Sequence, residues 1–294
     1  MKRLILLTAG LALSHAAFAQ VFSFTREQMI KYTPDNPFER FPDGRPKVPD
    51  SILERVKTMS IEEAWTELRA KGYTNQYAEG LQALRPGQKL VGRAFTAQYV
   101  PVRPDVTKVI DADAKAHGMA SGVNQRVIDQ LQLNDVPVID LMGVSPGHNF
   151  GGDNLHAAIY GATHTGAVVD GTVRDVEGLM ELPTQVFFRA PHPAAVAGVS
   201  IMGINIPVHI GNALVMPGDV VLGDRTGVIF IPPHLVQEIV EKAEVTQIHD
   251  EWTKQKFLTG KYKASELYPV PLSAEHKKEY EEYLKRRLAE RRKQ

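Results

Sequence analysis

Apolar positions recur along this chain at two spacings, and each spacing predicts its own kind of element. Between Ser51 and Lys71, the residues Ile52, Val56, Met59, Ala64, Trp65 and Leu68 predict one or two helices. Ser60 followed by Glu63 is a capping-box pair for the second of them. Leu90–Val100 alternates loosely and reads as a strand. Val106–Gly118 is rich in small residues and reads as a helix. Val136–Met142 is a short apolar strand running into the loop Gly143-Val144-Ser145-Pro146-Gly147.

The second half is strand-rich. Ala167–Val173, Gln185–Arg189, Ile206–Ile210, Val220–Leu222 and Val228–Ile231 are short and β-branched. Pro217-Gly218-Asp219 and Asp224-Arg225-Thr226-Gly227 are turn signals. Pro232-Pro233 then opens a long helix whose apolar face is Leu235, Val236, Ile239, Val240 and Ala243. Helices alternating with strands, followed by a run of strands, predict an α/β core with mixed strand pairing.

The two ends read differently. Lys2-Arg3, the apolar run Leu4–Leu13 and the small-x-small pattern Ala17-Phe18-Ala19 form a secretory signal peptide, cleaved after Ala19. The protein is therefore expected in the periplasm or outside the cell, without stable membrane insertion after cleavage. The apolar run is short for a spanning helix. Residues 20–50, rich in Pro, Asp and Arg, read as an extended arm, and 51–250 as the α/β domain. Residues 251–294 read as a C-terminal extension with a helical, charge-dense tail. That tail suits a solvated helix closing on a neighbouring subunit, or an anionic surface. Composition adds limits. Lys+Arg and Asp+Glu both number 34, so nothing global points to nucleic acid; no cysteine is present, which removes disulfides, thiolate metal sites and a Cys nucleophile.

Chemistry concentrates in Gly151–Asp175, which reads GGDNLHAAIYGATHTGAVVDGTVRD. A glycine pair opens a helical pattern, a strand follows, and the strand delivers Arg174-Asp175. The helix start at Gly152, Asp153, Asn154 and Leu155 offers backbone N–H groups to an anion. Arg174 offers a planar fork for the same anion. Asp175 offers an oxygen ligand to a hard divalent cation, or else caps the helix after it. An anion site beside a metal site predicts chemistry on a small oxo-acid. Rival metal ligands are His156 and His164, but their spacing lacks the acidic residue of a zinc-protease helix. His148, just before the glycine pair, is an accessory candidate for the pocket wall. A Ser145/His148 nucleophilic pair lacks the nucleophile-elbow pattern.

Gly152-Asp153-Asn154-Leu155 and Gly171-Thr172-Val173-Arg174-Asp175 resemble the RraA-like family, which includes the class II 4-hydroxy-4-methyl-2-oxoglutarate aldolases. Members carry Gly-Glu-Leu-Leu at a helix start and then a strand ending Gly-x-x-Arg-Asp. Asp153-Asn154 departs from the Glu-Leu of that turn, which bears on loop shape more than on binding through N–H groups. The resemblance runs from about Leu84 to Glu244 through Pro207-Val-His-Ile-Gly-Asn, Pro217-Gly-Asp219 and Gly223-Asp-Arg-Thr-Gly227. It implies a swivelling β/β/α fold, assembled as a homotrimer or hexamer. It further implies a lyase that cuts a C–C bond of a 2-oxo acid through a pyruvate enolate stabilised by Mg²⁺ or Mn²⁺ on Asp175. Arg174 would hold the substrate carboxylate, and oxaloacetate decarboxylation would accompany the cleavage. Glu63-Ala64 is the nearest match to an Asp-Ala pair whose carboxylate assists the metal's water shell from a neighbouring subunit; helix capping by Glu63 is an equal reading. The family also implies an alternative, a binding or regulatory protein without turnover.

Overall fold

A computed structural model describes residues 22–291; the expected signal peptide and its cleavage point lie outside them. Residues 22–50 run along the body and carry one short helix, α1 (Arg26–Tyr32), closed by a Thr25/Gln28 capping box. Helices α2 (Asp50–Val56) and α3 (Ile61–Ala70) follow, the second with the expected Ser60/Glu63 box. Two-residue strands β1 (Tyr77–Ala78) and β2 (Gln82–Ala83) precede the long β3 (Leu90–Pro101). Then come α4 (Pro104–Ala116), α5 (Gln125–Ile128), β4 (Asp135–Asp140), α6 (Asp153–Thr163), β5 (Gly166–Val173), α7 (Val176–Leu179) and β6 (Gln185–Pro191). The remaining strands are β7 (Val199–Ile204), β8 (Val208–Ile210), β9 (Ala213–Val215), β10 (Val220–Gly223) and β11 (Val228–Ile231). Three helices close the chain: α8 (Pro233–Phe257), α9 (Ala264–Leu267) and α10 (Ala274–Arg291).

The pairing is mixed, as the element order predicts. β3, β4, β5 and β6 are parallel neighbours, while β10, β11, β1, β2 and β7 join antiparallel. β3 is long enough to serve two partners on one side: β10 along Leu90–Arg93 and β7 along Ala97–Pro101. Both faces of the parallel strands are covered, so they are apolar without alternation. Ile139 and Val169 join the core beneath α4 and α6. Val138 and Val168 instead meet Val208, Ile210 and Val215 of the β8–β9 hairpin. Val220, Leu222, Ile229 and Ile231 form a third core with α2, α3 and α8.

Two charged clusters tie the layers together. Asp140 and Asp170 are register partners on β4 and β5. Asp140 reaches His209 of the hairpin at 3.3 Å, and Asp170 takes Arg189 at 2.6 Å and the Gly211 N–H at 2.8 Å. The arm is anchored more deeply than its composition suggests. Arg45 is fully buried and forks onto Asp135, Nη1–Oδ1 2.6 Å and Nη2–Oδ2 3.1 Å, with its guanidinium 4.3 Å from the Phe41 ring centre. The expected division at 250/251 falls inside α8, which continues to Phe257. The charged tail folds back on that helix as α10, through Glu251 to Tyr283 and Arg287 and through Lys256 to Glu279.

The Arg45–Asp135 pair makes a test of the anchor. Arg45→Met leaves a buried carboxylate without its cation and should cost about 3–5 kcal/mol in urea unfolding. Arg45→Met combined with Asp135→Asn should recover more than half of that loss. An Arg45→Met variant as stable as the parent would show that the arm does not depend on the pair.

Candidate active site

The glycine pair, helix α6 and the end of β5 meet at one place. Gly152 is the N-cap of α6 and has no side chain to cap it, so the first-turn N–H groups point outward. A Cβ built on Gly152 would stand 1.9 Å from Asp175 Oδ2, so any larger residue there would push the carboxylate aside. Asp175 itself takes a left-handed backbone, φ 55° and ψ 45°, a conformation that costs an ordinary residue about 1–2 kcal/mol. It stands at the N-cap of α7, yet its side chain makes no capping hydrogen bond. The capping alternative therefore fails, and the carboxylate is left for other use. It is about half exposed, with Oδ2 at 3.3 Å from Arg174 Nε.

A chain of buried amides holds this geometry. Asn149 Oδ1 accepts the Gly151 N–H at 2.8 Å, and its Nδ2 donates to Thr172 Oγ1 on β5 and to the His192 carbonyl, each at 3.3 Å. Asn124 Nδ2 donates to the carbonyls of Asn149 and Phe150, and Tyr99 donates to Asn124 Oδ1. The two asparagines are 1 % exposed, so nearly all their amide hydrogen bonding is spent inside the protein. Arg174 N donates to the Gly151 carbonyl, which closes the loop onto the strand end.

The result is a cavity of about 100 Å³ walled by Asn124, Asn149, Gly151–Leu155, Arg174, Asp175, Ala195 and Val196. It brings together Gly152, Asp153, Asn154, Leu155, Arg174 and Asp175. One expected donor is already taken, because Asp153 Oδ1 accepts the Asn154 N–H at 2.7 Å. Glu63 and His148 lie elsewhere within this chain. Glu63 Oε2 accepts from Ser60 N and from Gln247 Nε2, which is the capping reading. His148 lends its backbone carbonyl to Thr172 and does not wall the cavity. Asn124 and Asn149 were invisible in the sequence, since a lone asparagine carries no spacing signal.

The two rival histidines take structural places. His164 ends α6 in a left-handed turn, stacked on Tyr160. His156 is fully buried, edge-on to Phe150 at 6.4 Å, with neither ring nitrogen bonded. Burial lowers its pKa to about 4.

Backbone N–H groups, an arginine and a carboxylate that caps no helix thus gather at the carboxyl ends of the parallel strands of an α/β protein. Residues 56–230 match the RraA-like family profile, described as Aldolase/RraA, and the chain belongs to this family. It is 32% identical over 141 residues to a protein of Halalkalibacterium halodurans, provisionally named 4-hydroxy-4-methyl-2-oxoglutarate aldolase, covering 47% of this chain and 67% of that one. A Thermus thermophilus protein of the same name is 31% identical over 81 residues, 28% of this chain and 49% of that one. Among solved structures, Streptomyces coelicolor RraAS2, described as an unusual member of the RNase ES inhibitor RraA family, aligns with TM-score 0.60 and 25% identity. That alignment covers 72% of this chain and all of RraAS2.

His156 provides a pH test. Its folded pKa lies below the unfolded value of 6.5, so the unfolded chain takes up the proton first as pH falls. Its contribution is complete above about pH 6.5 and is lost towards pH 4, by up to about 3 kcal/mol. Denaturant unfolding of His156→Leu and the parent at pH 7 and pH 4.5 should show the parent losing more. The comparison must be a difference, because buried Asp219 contributes the opposite slope. Identical pH dependence of the two proteins would refute the assignment.

Proposed function

We propose that this chain is a lyase for a small 2-oxo acid, cleaving a C–C bond as in the aldolases of 4-hydroxy-4-methyl-2-oxoglutarate, with oxaloacetate decarboxylation alongside. The observation that carries the reading is the contact of Gly152 with Asp175, which sets an uncapped helix start beside a half-exposed carboxylate whose charged neighbour is Arg174. The cavity suits a compact acid, and its two polar walls divide the work. The N–H groups at Gly152, Asp153 and Leu155, with the Arg174 guanidinium, receive the substrate carboxylate. Asp175 faces the adjoining oxo group.

The donor set fits a hard divalent cation. Mg²⁺ or Mn²⁺ is held readily by one carboxylate and several waters, and Asp175 is half exposed with no capping bond to give up. When bound, the cation supplies electrophilic stabilisation of the charge that develops on the oxo oxygen. The chain's own part is positional. Asn149 and Asn124 keep the glycine turn rigid, so the carboxylate is gripped while the scissile bond is free to break. Cleavage of the C3–C4 bond of a 4-hydroxy-2-oxo acid would release a second oxo compound and, once C3 is protonated, pyruvate, with a held water taking the 4-hydroxyl proton and returning it to C3. Loss of CO₂ from oxaloacetate develops the same charge. No lysine walls the cavity, so a Schiff-base route has no amine there.

The alternative is a binding or regulatory protein without turnover, and the likeness to RraAS2 supports it. Turnover of the two acids with Mg²⁺, read as pyruvate and abolished by chelation, separates the readings. Asp175→Ala should lower kcat at least ~100-fold and remove the metal dependence. Gly152→Ala should do the same by displacing that carboxylate. Arg174→Ala should act mainly on KM, by about ten- to a hundredfold, the worth of one charge-assisted contact. Full activity in the folded Asp175 and Arg174 variants would place the site elsewhere.

Export and assembly belong to the same proposal. Lys2–Ala19 supports release into the periplasm or outside the cell, and the family supports a homotrimer or hexamer. Protein from the native host should begin at Gln20 and scatter light as a trimer or larger. An intact Met1, or a monomer at micromolar concentration, would count against the respective half.

A further inference from the structure

A second cavity, of about 240 Å³, lies far along the chain from the glycine turn, between arm residues 32–36, Tyr73 and the start of α8. At its wall stands Asp219, 2 % exposed. Asp219 Oδ2 accepts the Met216 N–H at 2.8 Å, which closes the Pro217-Gly218 turn. Its other oxygen has no donor among the described residues, and the carboxyl forms no ion pair there. Burial accordingly pushes its pKa up to about 7, against the small opposing pull of the Met216 N–H. A buried carboxyl without a counter-charge is an expensive arrangement unless something completes it.

The rest of the wall says what would complete it. No lysine or arginine lines the cavity, and a second carboxylate, Asp35, stands at its exposed rim. Lys31 Nζ lies over the Tyr32 ring at 5.7 Å and makes no ion pair with Asp219. The start of α8 would ordinarily draw an anion, but its N-cap Pro232 and first residue Pro233 have no N–H, and the Leu235 N–H is spent on the Pro232 carbonyl. Tyr73 and His234, joined by a 3.2 Å hydrogen bond, contribute aromatic rings to the wall, and Leu214 and Met216 contribute apolar side chains. Two carboxylates, aromatic side chains and apolar surface, in a wall without lysine or arginine, together select positive charge on an apolar body.

We propose that this cavity binds a small organic cation, a primary ammonium carried on an apolar body, with its nitrogen on Asp219. The inference does not depend on the lyase reading, since none of these residues walls the first site.

The probe is benzylammonium, with benzyl alcohol and benzoate as its neutral and anionic counterparts, titrated calorimetrically into the full protein at pH 7. Benzylammonium should bind and the other two should not. Binding should release protons, seen as heats that differ between buffers of different ionisation enthalpy, because the ammonium displaces the proton shared by Asp219. Asp219→Asn, which keeps an acceptor for Met216 N, should weaken binding about ten- to a hundredfold. If that variant does not fold, Leu214→Trp decides, because Leu214 is an exposed lining residue and the larger ring closes the cavity while leaving Asp219 intact. Absence of benzylammonium binding at millimolar concentration would overturn the proposal. So would equal binding of benzyl alcohol, or unchanged affinity in Leu214→Trp.

Discussion

The approach of the Gly152 backbone to the Asp175 carboxylate is the constraint on which this site rests. Removing one hydrogen's worth of space there would displace either the helix start or the carboxylate. The cost of the arrangement is visible at Asp175, an L-residue in a left-handed conformation. Strain of this kind survives only where surrounding bonds over-determine it. Here those bonds are the Arg174 N–H on the Gly151 carbonyl and the return of α7 onto the Asp175 carbonyl. The consequence is chemical: an aspartate at a helix N-cap that does not cap, and a helix start that is not capped.

Behind the contact lies a graded set of supports. Asn149 joins the glycine turn to β5 and to the loop at His192; Asn124 holds the peptide carbonyls before that turn; Tyr99 holds Asn124. Each is buried, so loss of a single amide would strand its partners without water to replace it. The parallel strands β4 and β5 supply the frame, and the arm fixes β4 at its other end through Arg45 and Asp135. Arm, sheet and site are thus one mechanical unit, although the arm's composition resembles that of a peripheral segment.

Membership of the RraA-like family does not by itself choose between turnover and binding, because named relatives include both aldolases and an inhibitor-family protein. The relatives named as aldolases align over only part of their own length. What separates the alternatives is whether the exposed carboxylate of Asp175 is used in turnover.

Much of the architecture was legible locally. The Ser60/Glu63 capping box, the strand Val228–Ile231 and the helix opened by Pro232-Pro233 are set by neighbours within about four residues, which a sequence displays directly. Gly152, Arg174 and Asp175 were legible as a set because their spacing matches a family pattern. Other features depend on partners far along the chain. β7 is not read as an element from the sequence; its strand is defined by antiparallel pairing with the far half of β3, about a hundred residues earlier. Arg45 looks like a surface arginine until Asp135 meets it inside. Asn149 has no pattern at all, and Asp175 taken alone reads as a helix cap, becoming a ligand candidate only with its family spacing to Gly152. The sequence by itself determined where most elements run and which residues are candidates for the chemistry. Only the tertiary structure decided which of those residues meet, because an orphaned carboxylate or a pinned glycine turn is a relation between segments twenty or more residues apart.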